Sequence, residues 1–163
     1  MVNMQPRIET ISEIKLLGKR INMSYSNNLT PILWKSFMPH RNEISNSLNT
    51  KLFSVEVYKS PNFFEDFDAT NKFEKWAAVE VSNFETIPSE MESLLIPAGE
   101  YAVFNYKGKG SEASETYRSI LLEWFPISKY QLDHRPHFAV MGEKYKNEDP
   151  TSEEELWFPI KDK

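Results

Sequence analysis

The 163-residue chain contains no cysteine. That excludes a disulfide framework, a thiol nucleophile and a cysteine-ligated zinc, and it fits the expectation of a reducing, cytoplasmic setting. No apolar run approaches the roughly 20 residues needed to span a bilayer. The N-terminal segment MVNMQPRIETISEIKLLG has neither an apolar signal core nor a cleavage site. Glycine is scarce, at five residues, and the one glycine-rich stretch, GKGSEAS, lacks the Gly-Lys-Ser/Thr ending of a phosphate loop. No serine sits in a nucleophile elbow. His134 and His137 straddle Arg135 and Pro136 in extended chain, and His40 is remote, so the histidines have no metal-ligand spacing. Neither a metal nor a cofactor is expected. Basic residues form no stripe and the net charge is −5, which argues against direct binding to nucleic-acid phosphates.

What the chain has in excess is rings. Four Trp, eleven Phe and seven Tyr make up 13% of it. Such a surplus builds a large aromatic core, lines a pocket, or covers an interface. The length suits one domain, 1–163, or two tightly fused halves.

Hydrophobic periodicity divides the chain into two similar halves, about 7–82 and 94–162, with a linker over 83–93. Residues 7–25 read as an edge strand with a kink or bulge at Gly18. Asn27, Asn28 or Thr30 can cap a helix that has Pro31 in its first turn and ends or kinks near Met38, before Pro39. Strands follow at 52–58, where Phe53, Val55 and Val57 share one face and Ser54, Glu56 and Tyr58 the other, and at 75–82, where Trp76, Ala78 and Glu80 share a face. The second half repeats this order. It has a strand from Tyr101 to Tyr106, then a helix capped by Ser111 or Ser114. That helix carries Tyr117, Ile120, Leu121 and Trp124 on one face and ends at Pro126; strands at 137–144 and 154–161 follow. The expected fold is α+β: two pseudo-symmetric strand-helix-strand-strand repeats form one curved antiparallel sheet, with two main helices and a groove between them.

Four segments carry a resemblance: the strand PAGEYAVFNYKG, the helix end EWFPIS, the segment RPHFAVMGEKY, and the close EEELWFPI. In this order and spacing they resemble the GyrI-like (gyrase-inhibitor-like) family of bacterial effector-binding domains. LWKSFMP, LFSVEVY and KWAAVEVSNF are consistent with that family's first repeat, so the resemblance spans nearly the whole chain. It implies binding of small, often aromatic or cationic, molecules between the two helices. Many members are fused to a DNA-binding region, others stand alone, and one branch hydrolyses cyclopropane-bearing genotoxins. Residues 1–25 are used by the first strand, so a standalone module is expected. Family members typically carry a pocket-facing Glu after the Phe of the RP-x-F segment; this chain has Ala139 there.

Two carboxylates can replace the missing one. Glu80 lies near Trp76 on one strand face, where a carboxylate beside an indole suits an aromatic cation. Glu56 overlays Met141 when LFSVEVY is aligned on HFAVMGE, and Ser54 then overlays Ala139. For each Glu an exposed strand face is the competing reading. The candidate ligand-binding residues are Trp76, Glu80, Glu56, Tyr58, Tyr101, Trp124, Ala139, Met141 and Trp157, and the candidate catalytic groups are Glu80, Glu56 and Tyr101. The leading expectation is capture of a small aromatic or amphipathic drug or toxin, for sensing or sequestration. Hydrolysis of a strained electrophile, or interaction with DNA gyrase or another protein, are the alternatives. A homodimer is compatible with the apolar surplus, and no membrane partner is expected.

Overall fold

The computed structural model describes residues 5–163; the first four, part of the expected 1–163 domain, lie outside the described residues. The described residues form nine strands: β1 (Arg7–Ile11), β2 (Ile14–Met23), β3 (Leu52–Val57), β4 (Phe73–Glu80), β5 (Glu92–Ile96), β6 (Gly99–Lys107), β7 (Tyr130–Leu132), β8 (His137–Met141) and β9 (Glu153–Asp162). Every pairing is antiparallel, in the order β1-β6-β9-β8-β3-β4-β2-β5, with β7 added on β9.

The centre of this order is the seam between β3 and β8, where Ser54 pairs with Ala139, Phe53 with Val140 and Val55 with Phe138. This register is its own mirror under the alignment of LFSVEVY on HFAVMGE, so a pseudo-two-fold axis passes between Ser54 and Ala139. The outer pairings repeat about it: Ser54 pairs with Ala77 and Ala139 with Leu156; Gly18 pairs with Glu92 and Val103 with Arg7. The expected α+β architecture of two related halves is thus present.

The segment 7–25 differs from its sequence reading. It is two strands, broken at Ser12–Glu13, and Gly18 lies inside the second with regular pairing on both sides. β1 pairs with β6 of the other half and, symmetrically, β5 pairs with β2. Each half therefore lends its leading strand to the far edge of the other. β1 and β2 stand at opposite regions of the strand order yet are joined by two residues, so the sheet curls until its ends approach. Gly18 is needed at the curl: a Cβ there would sit 2.0 Å from the Ala77 carbonyl oxygen.

The inner face of the curl is filled by Leu16, Phe53, Val55, Trp76, Ala78, Ile96, Tyr101, Val103, Phe138 and Val140. The helices cover the outer face. Helix α1 (Thr30–Phe37) packs Leu33 and Phe37 onto Leu17, Ala77 and Val79, and Asn28 Oδ1 accepts a bond from the Thr30 N–H at its start. A 3-10 turn, Met38–Glu43, follows with Pro39 in its first turn. Helix α2 (Ala113–Ser119) passes through a π turn, Ile120–Trp124, into a last α turn, Phe125–Ile127. Here Pro126 does not end the helix as the sequence reading expects. It lacks an N–H and crowds the preceding turn; the wider π turn, with Phe125 N–H bonded to the Ile120 carbonyl, absorbs it. Ile120 and Phe125 bury against Phe104, Leu156 and Phe158.

Candidate functional site

Strand parity decides which side chains lie between the two helix-covered clusters. On β3, Leu52, Ser54 and Glu56 share the outer face with Tyr58 just beyond; on β8, His137, Ala139 and Met141 share it. Ser54 and Ala139 are small, so the floor at the pseudo-two-fold axis is low. Lys75 on β4 and Glu154 on β9 flank it, each two residues before an equivalent position, Ala77 and Leu156. The pseudo-symmetry thus sets an ammonium opposite a carboxylate.

The polar groups here are starved of water. Glu56 and Lys75 are only 14% and 12% exposed, with Nζ 3.5 Å from Oε2. Beyond that ion pair, Glu56 Oε2 is buried without a hydrogen-bond donor. Desolvation raises the Glu56 carboxyl above its usual range, against the pull of Lys75. Glu154 is buried at 9% exposure. Desolvation pushes its carboxyl up to about 7; the Lys75 ammonium opposes the rise and the Glu56 carboxylate adds to it.

A chain of hydroxyls runs from one end. Tyr25 and Tyr58 are hydrogen-bonded through their hydroxyls at 2.6 Å, Tyr58 and Tyr117 at 3.3 Å, and the Tyr117 hydroxyl bonds His137 Nδ1. Burial holds the Tyr58 and Tyr117 phenols neutral, and it lowers His137 to about 3, so the imidazole is neutral too. Rings enclose this chain. Tyr58 meets the His137 ring edge-on at 4.9 Å, Phe63 at 4.6 Å and Phe64 at 4.9 Å, while Tyr117 lies 4.7 Å from Phe158. Phe63 and Phe64 come from the irregular segment between β3 and β4, which closes the end of the site. A cavity of about one water's volume remains there, bordered by Tyr58, Phe64, His134 and His137.

The sequence candidates are divided between the faces. Glu56, Tyr58, Ala139 and Met141 lie on the outer face, about the polar cluster. Trp76 and Tyr101 are buried on the inner face, with Trp157 packed against that core. Glu80 shares the parity of Trp76 and accepts a bond from Asn49 Nδ2 at 3.2 Å. The Tyr101 hydroxyl donates to the Pro136 carbonyl at 2.9 Å, under the Arg135 guanidinium. Trp124 packs edge-on against Phe104 and stacks with Tyr130, away from the seam. Sequence reading did not single out Lys75, Glu154, Tyr117 or His137 as site residues. The signal for Lys75 and Glu154 was available: extending the repeat alignment one step beyond Ala77 and Leu156 pairs them.

An antiparallel α+β domain with a charged, ring-lined seam between two helices defines a class of ligand-binding domain. Residues 4–161 match the family model described as GyrI-like small molecule binding domain. The chain belongs to that family. The transcriptional regulator BrlR of Pseudomonas aeruginosa is 23% identical over 159 residues, which are 97% of this chain and 56% of BrlR. The chain therefore spans little more than half the length of that relative. Among solved structures, SAV2435 bound to tetraphenylphosphonium superposes with a TM-score of 0.67 at 15% identity, covering 96% of this chain and 93% of that one. A hydrolase from Listeria innocua gives 0.59 at 12% identity, covering 98% and 93%. These likenesses establish the shared fold. Among the described residues, no helix is long and apolar enough to cross a membrane.

Proposed function

We propose that this small-molecule-binding domain captures lipophilic aromatic cations at the seam between α1 and α2, for sensing or sequestration. One observation carries the reading: of two buried carboxylates, Glu56 and Glu154, one is paired with the Lys75 ammonium at 3.5 Å and the other feels it only at longer range, while the rings of Tyr25, Tyr58 and Tyr117 stand beside Glu56. Carboxylates so placed are undercompensated, and a cation that brings its own rings would supply charge and stacking together. The liganded SAV2435 structure supports the choice of cation class. The seam is filled by Tyr58, Tyr117 and Phe64 in this structure, so a guest must displace the segment between β3 and β4.

Calorimetric titration with tetraphenylphosphonium tests the proposal. The wild type is expected to bind with saturation, and Glu56→Gln to bind at least about tenfold more weakly, the loss typical of one buried charge partner. Absence of saturable binding would overturn it.

A second reading, hydrolysis, is favoured by the Tyr58–Tyr117–His137 hydrogen-bond chain beside Glu56. A carboxylate of raised pKa is a competent general base, and a phenol can donate to developing negative charge. Ring-opened product from a cyclopropane-bearing genotoxin, lost in Glu56→Gln and Tyr117→Phe, would establish it.

A further inference from the structure

The ionisable groups at the seam do not balance unless a proton is counted. Buried Glu154 is the pairing partner of Tyr106 on β6 and stands across the pseudo-two-fold axis from its equivalent, Lys75 on β4, whose own partner is Glu56 on β3; Tyr145, in the turn after β8, is the other titratable group that Glu154 influences. Tyr25, Tyr58, Tyr117 and His137 surround Glu56. Every phenol in this set is raised by burial and is neutral, and His137 is neutral as well. One ammonium then stands against two carboxyls. With both ionised, a net negative charge would lie desolvated between the helices, a costly arrangement. With one protonated, the cluster is neutral. Glu56 has Lys75 at 3.5 Å, so Glu154, across the axis, is the carboxyl left to hold the proton.

We propose that capture of one lipophilic cation expels one proton from the Glu56–Glu154 carboxyl pair, so that the site exchanges a proton for its guest. The inference rests on the cation-binding reading above and adds its regulation. The ligand's charge takes the place of the proton's: Glu154 ionises, the proton passes to solvent, and the buried charge returns to zero. Acid therefore competes with the ligand. The elevated Glu154 carboxyl, at about 7, sets the window in which competition ends. His137 does not contribute in that window, because its imidazole is lowered to about 3 and stays neutral.

Tetraphenylphosphonium is a suitable probe because it is a permanent cation with no titrating group, so a pH dependence must come from the protein. The wild type is titrated from pH 5 to 8.5, and calorimetry at pH 6 is run in two buffers of different ionisation enthalpy. The expected dissociation constant weakens about tenfold per pH unit below about 7 and is level above it. The buffer comparison is expected to show about one proton released per ligand at pH 6. Glu154→Gln, which keeps size and shape but cannot ionise, should bind at every pH with the weak affinity that the wild type shows in acid, giving a flat profile and no proton release. A flat wild-type profile with saturable binding would overturn the exchange and leave the binding reading standing. A sloping profile that survives in Glu154→Gln would overturn the assignment to this carboxyl. No binding at any pH would overturn both.

Discussion

Glu154 and His137 make opposite demands on the fold. The Glu154 carboxyl rises from 4.5 to about 7, so the folded state holds a proton that the unfolded chain releases. Stability is then lost as pH rises from about 4.5 through 7, by on the order of 3 kcal/mol if that shift is fully expressed. His137 falls from 6.5 to about 3, so the unfolded chain binds the proton first. Its contribution is complete above pH 6.5 and is lost as pH falls toward 3. Thermal unfolding of single variants separates the two. Glu154→Gln should raise the midpoint at pH 8 and change it little at pH 5. His137→Phe should flatten the decline between pH 6 and 4, while giving up the bond to Tyr117. An unchanged midpoint for Glu154→Gln at pH 8 would show that the carboxyl is not desolvated as described.

Among the elements, β2 carries the tightest constraint. Gly18 pairs with Ala78 on one side and Glu92 on the other, at the point where the curl leaves the Ala77 carbonyl oxygen 2.0 Å from where a Cβ would stand. The equivalent position in the other half is Val103, which fits. Gly18→Val should therefore lower stability by about 3 kcal/mol or more, since backbone cannot yield as a side chain can; denaturant unfolding measures it. A loss under about 1 kcal/mol would mean the curl relaxes freely. Much of this layer was legible in sequence. Alternation gave β3 and β4, and the apolar spacing of Tyr117, Ile120, Leu121 and Trp124 gave the second helix; the overlay of the two halves marked Ser54 and Ala139 as equivalent but did not state that they pair. The edge exchange of β1 and β5 was not legible, because it depends on pairing between residues 74 to 96 positions apart. Nor was the π turn, since Pro126 reads as a stop unless the widened turn is seen.

The molecule as a whole places its polar chemistry on one face of the sheet and most of its candidate aromatic wall on the other. Alternation states which residues travel together: Trp76 with Ala78 and Glu80, Lys75 with Ala77 and Val79. Both sets are rich in apolar groups, so the sequence alone does not say which face the helices cover. Glu154 was hidden for a related reason: it opens the expected strand 154–161 between Glu153 and Glu155, where one carboxylate does not stand out from its neighbours, although it is two residues before buried Leu156 on the same face. The polar seam lies on the outer face. The most direct test is a crystal structure of the protein with tetraphenylphosphonium. The expected result is phosphonium between α1 and α2, over Ser54 and Ala139 and within reach of Glu56 and Glu154, with the segment carrying Phe63 and Phe64 moved aside. Ligand seated instead against Trp76, Tyr101 and Trp157 on the inner face would contradict the account.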